Sequence, residues 1–486
     1  MSSSLSDRID GVVLNRWLGI PIFLLAMYLM FMFTVGVGGV QVVATFVPVI
    51  AFLFLFLSFL EDSGYMARAA FVMDRFLRAI GLPGKSFVPL LVGFGCTVPA
   101  VMATRTLEHE RERKMTIAMS NFMACGARLP VYALFAAAFF TAWAQQLVFL
   151  MYLLGVAAAV FTGLVLKHTL LRGKVTPFVM ELPPYRLPTM RGVLLRTWDR
   201  TKSFVFRAGR VIVPLVLVLN VLNSVGTDGS LGNEDSDASV LSAIGRTITP
   251  VFAPFGVSEE NWPASVGIFT GFLAKEAVVG TLDALYAGLG EEDEAALQSQ
   301  VNPRPLSWLG DGAPETLPAE EAPLDLLALM GEGLATIPAN LAAALQGWLD
   351  PMGLNIGDVA DPVAAAESQE VAAGTFGAMA TRFGGTAAAF AYLLFVLLYI
   401  PCVAAMAAVR RETTPAWTAF VATWTTGLAY LSATLFYQIA TFAQHPASSA
   451  AWIAGCLGFA GIVIAIMRAL GRHATTPRPA PAGARA

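Results

Sequence analysis

The sequence predicts an all-α polytopic membrane protein, with about eight transmembrane helices and two inverted repeats that each contain a broken re-entrant hairpin. Three observations carry this. Of 486 residues, 56% are hydrophobic and only 13% charged, about half the charge of a soluble domain. Eight apolar runs are long enough to span a bilayer. Two further apolar stretches are interrupted by Gly, Pro or charge, and each has flanks of one charge sign. The net charge of -3 is small, and nothing in its distribution suggests a nucleic-acid partner; the partner that the composition demands is membrane lipid.

The elements follow in order. Residues 1–16 form an N-terminal segment without a signal-peptide layout, and 17–41 hold the first transmembrane helix. The crossing runs are 17–40, 42–60, 115–141, 146–166, 208–225, 384–408, 416–440 and 450–470. Basic residues set the sides. Residues 167–210 carry ten Lys and Arg against Glu181 and Asp199, so the loop 167–207 is cytoplasmic. Arg105, Arg111, Arg113 and Lys114, and the "RRE" at 410–412, lie on the same side. The acidic stretches 226–262 and 286–383 are external, the second with an amphipathic helix or a loose linker in "LDLLALMGEGLATIPANLAAALQGWL". Both termini are then cytoplasmic. A helix over 441–472 closes the membrane part, and the Pro- and Ala-rich tail 473–486 is expected to be disordered.

The interrupted stretches are 87–103, with cytoplasmic charge on both sides, and 263–285, with external acidic loops on both sides. Each must enter and leave by one face, and the faces are opposite. The order helix, broken hairpin, helix, helix occurs once in 42–166 and again in 208–440. Inverted repeats with discontinuous helices meeting at mid-membrane point to a secondary-transporter core. A membrane enzyme or scaffold with short core helices is the plainer alternative.

The candidate chemistry lies at the interruptions. In "GFGCTVP", Gly93, Gly95 and Pro99 free backbone carbonyls around Cys96 and Thr97. In "NFMACGARLPVY", Met123 and Cys125 precede Arg128 and Pro130, a charge and a helix breaker. In "LLYIPCVAAM", Cys402 follows Pro401. A membrane cysteine is usually a small packing group, and Cys456 reads that way. Three thiols at interruptions, beside freed carbonyls, suit a borderline transition metal better than sodium or magnesium. Lys275 and Glu276 stand in the middle of the second broken segment; ionisable groups at that depth are costly and by default functional, the alternative being a mutual salt bridge. Glu61 and Asp62 end a spanning helix, as a cation-attracting gate or as solvated end charges. The four histidines lie outside the apolar cores, against a histidine-built metal site. "GLPGKS" at 81–86 mimics a phosphate loop but has Ala79 where glycine is required and no preceding strand. With neither HExxH nor GxSxG present, no catalytic constellation marks an enzyme.

At these residues the sequence resembles the membrane part of the bacterial ferrous iron transport protein B (FeoB) family. The stretches are "DRIDGVVLNRWLGIPIF", "FLEDSGYMARAAFVMDR", "GFGCTVPAVMATRTL", "ACGARLPVYALF", "ELPPYRLPTMRGVLLRTWDR", "LAKEAVVGTL", "YIPCVAAMAAVRRE" and "WTTGLAYLSATLFYQ", in order from about residue 6 to 440. The resemblance implies Fe2+ import across the bacterial inner membrane through two Gate repeats, and by motif match it places the family's cysteines on Cys96, Cys125 and Cys402. It implies a link to GTP through a cytoplasmic GTPase domain or subunit, small accessory iron-transport proteins, and compatibility with a homo-oligomer. The sequence departs from the family in having no phosphate-binding loop among the sixteen or so residues before the first helix, Thr97 where asparagine is usual, and a short link "GVGGVQ" at 36–41. The rival expectations are a nucleoside or other organic-solute permease on the same repeats, and a non-transporting scaffold that recruits a GTPase.

Overall fold

The computed structural model describes residues 51–173, 187–230, 238–275, 277–301 and 373–475, with Val47 and the single positions 232, 236 and 371. The expected helix 17–40, most of the external stretch 286–383, and all but the first three residues of the tail 473–486 lie outside the described residues. Within them the chain is helical, apart from one bridge pairing Gly226 with Ser239.

A helical run over 51–62 (α1) turns at Gly64, whose φ of 78° favours glycine, into α2, Tyr65–Ile80. Gly81, at φ 104°, ends α2. The Gly84 N–H then donates to Asp74 Oδ1 at 2.8 Å, fastening the turn back on α2. The next segment leaves α2 at 102°. It contains α3, Phe87–Gly93, and α4, Thr97–Ala103. After α5, Glu110–Ser120, and α6, Leu129–Phe139, comes α7, Ala144–His168. The second half comprises α8, Met190–Ser224; α9, Val240–Phe252; α10, Trp262–Leu273; and α11, Ala277–Val301. It continues with α12, Ala373–Arg382; α13, Thr386–Leu398; α14, Val403–Glu412; α15, Pro415–Ala440; and α16, Pro446–Thr475.

Among the described residues four helical stretches are long and apolar enough to cross a membrane: Ala144–His168, Thr386–Glu412, Pro415–Ala440 and Pro446–Arg472. The bent α2–α3 pair makes a fifth if it counts as one span. Three expected runs differ locally. The run 384–408 is interrupted at Tyr399–Cys402, between α13 and α14. The run 115–141 is broken between α5 and α6, because Pro130 has no N–H to donate and its ring crowds the carbonyl four residues back, at Gly126. The run from 208 belongs to a longer helix: α8 has 35 residues and starts at Met190, in charged sequence that hydropathy passes over.

The core gathers around α13. In the most apolar 18 residues of Thr386–Glu412, 72% are buried, against 11% in those of Pro446–Arg472, whose outer face shows Leu457, Phe459, Ile462 and Ile466. Tyr392 of α13 stacks on Phe135 of α6 at 5.0 Å between centroids. Phe395 stacks on Phe255 at 5.2 Å and on Tyr399 at 5.4 Å. In lipid, close van der Waals packing holds helices together, since tails are as apolar as the side chains. Such ring pairs add about 0.5–1.5 kcal/mol each. The Tyr392–Phe135 pair ties the first half of the chain to the second.

Candidate functional site

Four helix breaks are linked here, three of them at Tyr399. The first, Phe94–Cys96, separates α3 from α4. The second, residues 121–128, separates α5 from α6. The third, Ala274–Lys275, follows the end of α10 ahead of α11. The fourth, Tyr399–Cys402, separates α13 from α14. Breaks one and two are joined directly: the Gly126 N–H donates to the Gly95 carbonyl at 3.4 Å. Tyr399 lies within electrostatic reach of Arg128, Cys402 and Cys125. The Lys275 ammonium sits over the Tyr399 ring at 4.4 Å. The ring therefore connects the second, third and fourth breaks.

The three cysteines occupy equivalent local positions. Each is the non-helical residue just before a helical turn: Cys96 (φ -158°, ψ 134°) before α4, Cys125 (φ -80°, ψ 158°) before Gly126–Arg128, and Cys402 (φ -55°, ψ 156°) before α14. All three are half-buried thiols, whereas Cys456 is buried. Proline sets two of the breaks, Pro401 before Cys402 and Pro130 in the first turn of α6. At the first, Gly95 lies close under α1, where a Cβ would stand 2.7 Å from the methyl groups of Leu53. Pro99 and Thr97 are buried within α4. Gly93 lets α3 approach the second break, where its Cβ would lie 3.1 Å from Met123, so the Met123 stem is held by packing.

Two cations are enclosed here. Arg128 is 1% exposed, and its Nη1 donates to the Met123 carbonyl at 3.2 Å. That carbonyl is among those the break frees from helical bonding. Lys275 is 4% exposed. Its neighbour Glu276 lies outside the described residues. Glu61 and Asp62 are ion-paired at the end of α1: Arg200 of α8 reaches Glu61 at 2.8 Å, and Arg196 pairs with Asp62. Glu61, Asp199, Arg200 and Ser203 form one wall of a 420 Å³ chamber; Pro99, Met102 and Ala103 of α4 form another. The chamber thus runs from the α1–α8 ion pairs to the helix that Cys96 begins.

Among the described residues no three Cys, His, Asp or Glu side chains come together as a metal-holding group. Instead the thiols mark separate breaks, with polar groups between them that the sequence reading did not single out. Asn121 is buried at the second break; its amide donates to the Ile117 carbonyl, and its side-chain oxygen has no hydrogen-bond partner. The Tyr132 hydroxyl is likewise buried without a partner. Tyr399 packs its hydroxyl against Gly271. An asparagine just ahead of Gly126 and Pro130 in apolar sequence was the available signal for Asn121; nothing local distinguishes Tyr399 from other membrane tyrosines.

Comparison with known proteins bears on this geometry. The "Gate: Nucleoside recognition" family matches residues 43–139 and 205–315, which contain the first three breaks, and "Ferrous iron transport protein B C terminus" matches 148–200. The chain is 43% identical to the Fe(2+) transporter FeoB of Salmonella typhi, and 42% to that of Escherichia coli (strain K12). Each match covers 96% of this chain and 62% of the relative. The chain is similar to FeoB transporters over nearly its whole length. It spans 62% of the length of these FeoB relatives. No solved structure matches it. The break at Tyr399–Cys402 lies beyond both family matches but within the long alignment to the FeoB relatives.

Proposed function

We propose that this chain is the membrane permease part of a ferrous iron import system of the bacterial inner membrane. The observation that carries the reading is the meeting of three helix breaks at Tyr399, two of them bearing a cysteine, with the break that bears Cys96 bonded to one of them through Gly126 and Gly95. Broken helices are tolerated at membrane depth where they line a cavity or a site. Thiol sulfur with freed carbonyl oxygen suits Fe2+ better than a hard cation. The cargo would meet Cys96, Cys125 and Cys402 in succession rather than in one closed cage. Thr97, Asn121 and Glu276 would add oxygen, and Met123 a thioether. Arg128 would hold the second break in shape.

Further parts of the reading follow from charge and order. About eight spans cross, both termini are cytoplasmic, and the broken pairs 87–103 and 263–285 enter from opposite faces as inverted Gate repeats. The segments are those drawn from the sequence: 42–166 and 208–440 as repeats, 286–383 as the external stretch, and 167–207 as the cytoplasmic loop. The Glu61–Arg200 and Asp62–Arg196 pairs tie that loop's helix to α1, which is how a GTPase domain or subunit would act on the membrane part. Lipid surrounds the chain; small accessory iron-transport proteins and a homo-oligomer fit the same system.

The deciding experiment is anaerobic ferrous iron uptake into proteoliposomes holding this chain, beside the Cys96→Ala, Cys402→Ala variant. Uptake that disappears in the variant supports the reading. Uptake indifferent to the cysteines refutes it and favours organic-solute transport, which the Gate description itself raises. Binding of a GTPase without flux, even when that GTPase is supplied, would leave the scaffold reading.

A further inference from the structure

The helices that begin after Cys96 and Cys402, α4 and α14, pack against each other. Along their seam Val101 of α4 and Ala408 and Val409 of α14 form a small apolar cluster with Ile117 of α5, and Val98 packs against it. This cluster is separate from the main core. One turn further from the cysteines the seam ends in an ion pair. Arg105 donates through Nε and Nη2 to Glu412 Oε1, at 2.8 and 2.5 Å. The Glu412 side chain is only 6% exposed, while Arg105 is 56% exposed. The pair joins residues 307 positions apart, one from each half of the chain. α14 also packs against α8, the helix that leads out of the basic loop.

From these contacts we infer that the α4–α14 seam is the inner gate of the pathway, an apolar plug under Cys96 and Cys402 with the Arg105–Glu412 pair as its lock. The inference rests on the permease reading above. The plug offers no donor to a hydrated cation, and such constrictions close by excluding water. Opening requires α4 and α14 to part, which separates the guanidinium from the carboxylate. Glu412 is then uncovered at the exit, where its charge suits a departing divalent cation. The lock is half solvated, as a reversible closure needs, because partly exposed pairs are weak. α8 touches one wall of the seam, so a displacement of the basic loop reaches the gate without passing through the cysteines.

The test reads the two native cysteines in inside-out vesicles. A membrane-impermeant thiol reagent is added, and modification of Cys96 and Cys402 is followed by peptide mass spectrometry, with Cys456 as the reference for membrane integrity. Glu412→Arg, which sets two cations against each other, should raise both rates roughly tenfold by population shift toward the open seam. Glu412→Gln should raise them less, and the swap Arg105→Glu, Glu412→Arg should restore the slow rates. Unchanged rates in a single variant that remains folded, or a swap as reactive as Glu412→Arg, overturn the gate. Uptake in the same vesicles separates the two claims. Labelling that responds to the lock without iron flux removes the iron reading and keeps the gate; cysteine-dependent flux with unresponsive labelling does the reverse.

Discussion

Replacing Gly155 by alanine tests whether α7 shapes the second break. Gly155 lies on α7, and a Cβ there would stand 2.7 Å from the Phe122 carbonyl oxygen and 3.5 Å from Leu397. Even a close C–H···O contact keeps carbon and oxygen about 3.3 Å apart. Either α7 or the Phe122 backbone must therefore move by roughly 0.6 Å to reach that spacing, and Phe122 is three residues from Cys125. Overpacking of this kind costs about 1–3 kcal/mol. Alanine also gains about 0.5–1 kcal/mol over glycine within a helix, so a second variant is needed to isolate the clash. Gly280→Ala on α11 supplies it, since a Cβ there meets nothing within 4 Å. Both variants gain the helical term, and their difference is the clash alone, about 1–3 kcal/mol. The assay is reversible unfolding in mixed micelles by SDS titration, read by near-ultraviolet circular dichroism, with iron uptake at matched folded fraction. Equal stability for the two alanines would refute the close approach, and unchanged uptake in Gly155→Ala would refute the link to Cys125.

Three further outcomes follow. Arg128→Met leaves the Met123 carbonyl without its donor and should cost about 1–3 kcal/mol and most of the uptake, while Arg128→Lys keeps part of both; full stability in the methionine variant would sink the argument. Tyr399→Phe preserves the ring beneath Lys275 and should retain stability within about 1 kcal/mol, whereas Tyr399→Leu also forfeits a cation–π contact of about 0.5–2 kcal/mol; equal unfolding midpoints for the two would show that the ring does not hold the lysine. Arg196→Ala with Arg200→Ala breaks two partly exposed pairs and should lower stability by no more than about 2 kcal/mol in all. The same change should detach α8 from α1, seen as faster amide exchange over 190–203; unaltered exchange would show that the pairs are not the tie.

The legible part of this protein was its punctuation. Gly95 and Pro99 announced the first break, Pro401 the fourth, and Lys275 the third, because a glycine, proline or charge inside apolar sequence is expensive in a membrane helix. The break at 121–128 was less visible. Its residues Phe122, Met123 and Ala124 are as apolar as a spanning helix, so averaged hydropathy runs through them, although Arg128 and Pro130 marked the place. The start of α8 was hidden for the opposite reason: "MRGVLLRTWDRTKSFVFR" is helical but too charged to score as membrane. Which breaks meet, and that Tyr399, Asn121 and Tyr132 lie among them, depends on packing between segments hundreds of residues apart. Such contacts leave no local trace in a single sequence.

The broken helices also constrain how the chain is made. α3 and α4 have seven residues each, and α6 has eleven, well short of the ~20 that settle in a bilayer as independent spans. As they leave the ribosome these pieces have no stable resting place of their own. Their partners, α13 and α14, are synthesised more than 240 residues later. The first half must therefore wait, sheltered by an insertion factor or lying at the interface, until Phe135 finds Tyr392 and Arg105 finds Glu412. On this view the contacts between halves are also the last step of biogenesis. Truncation before α13 would leave a chain inserted but unfinished, and exposed to membrane proteases.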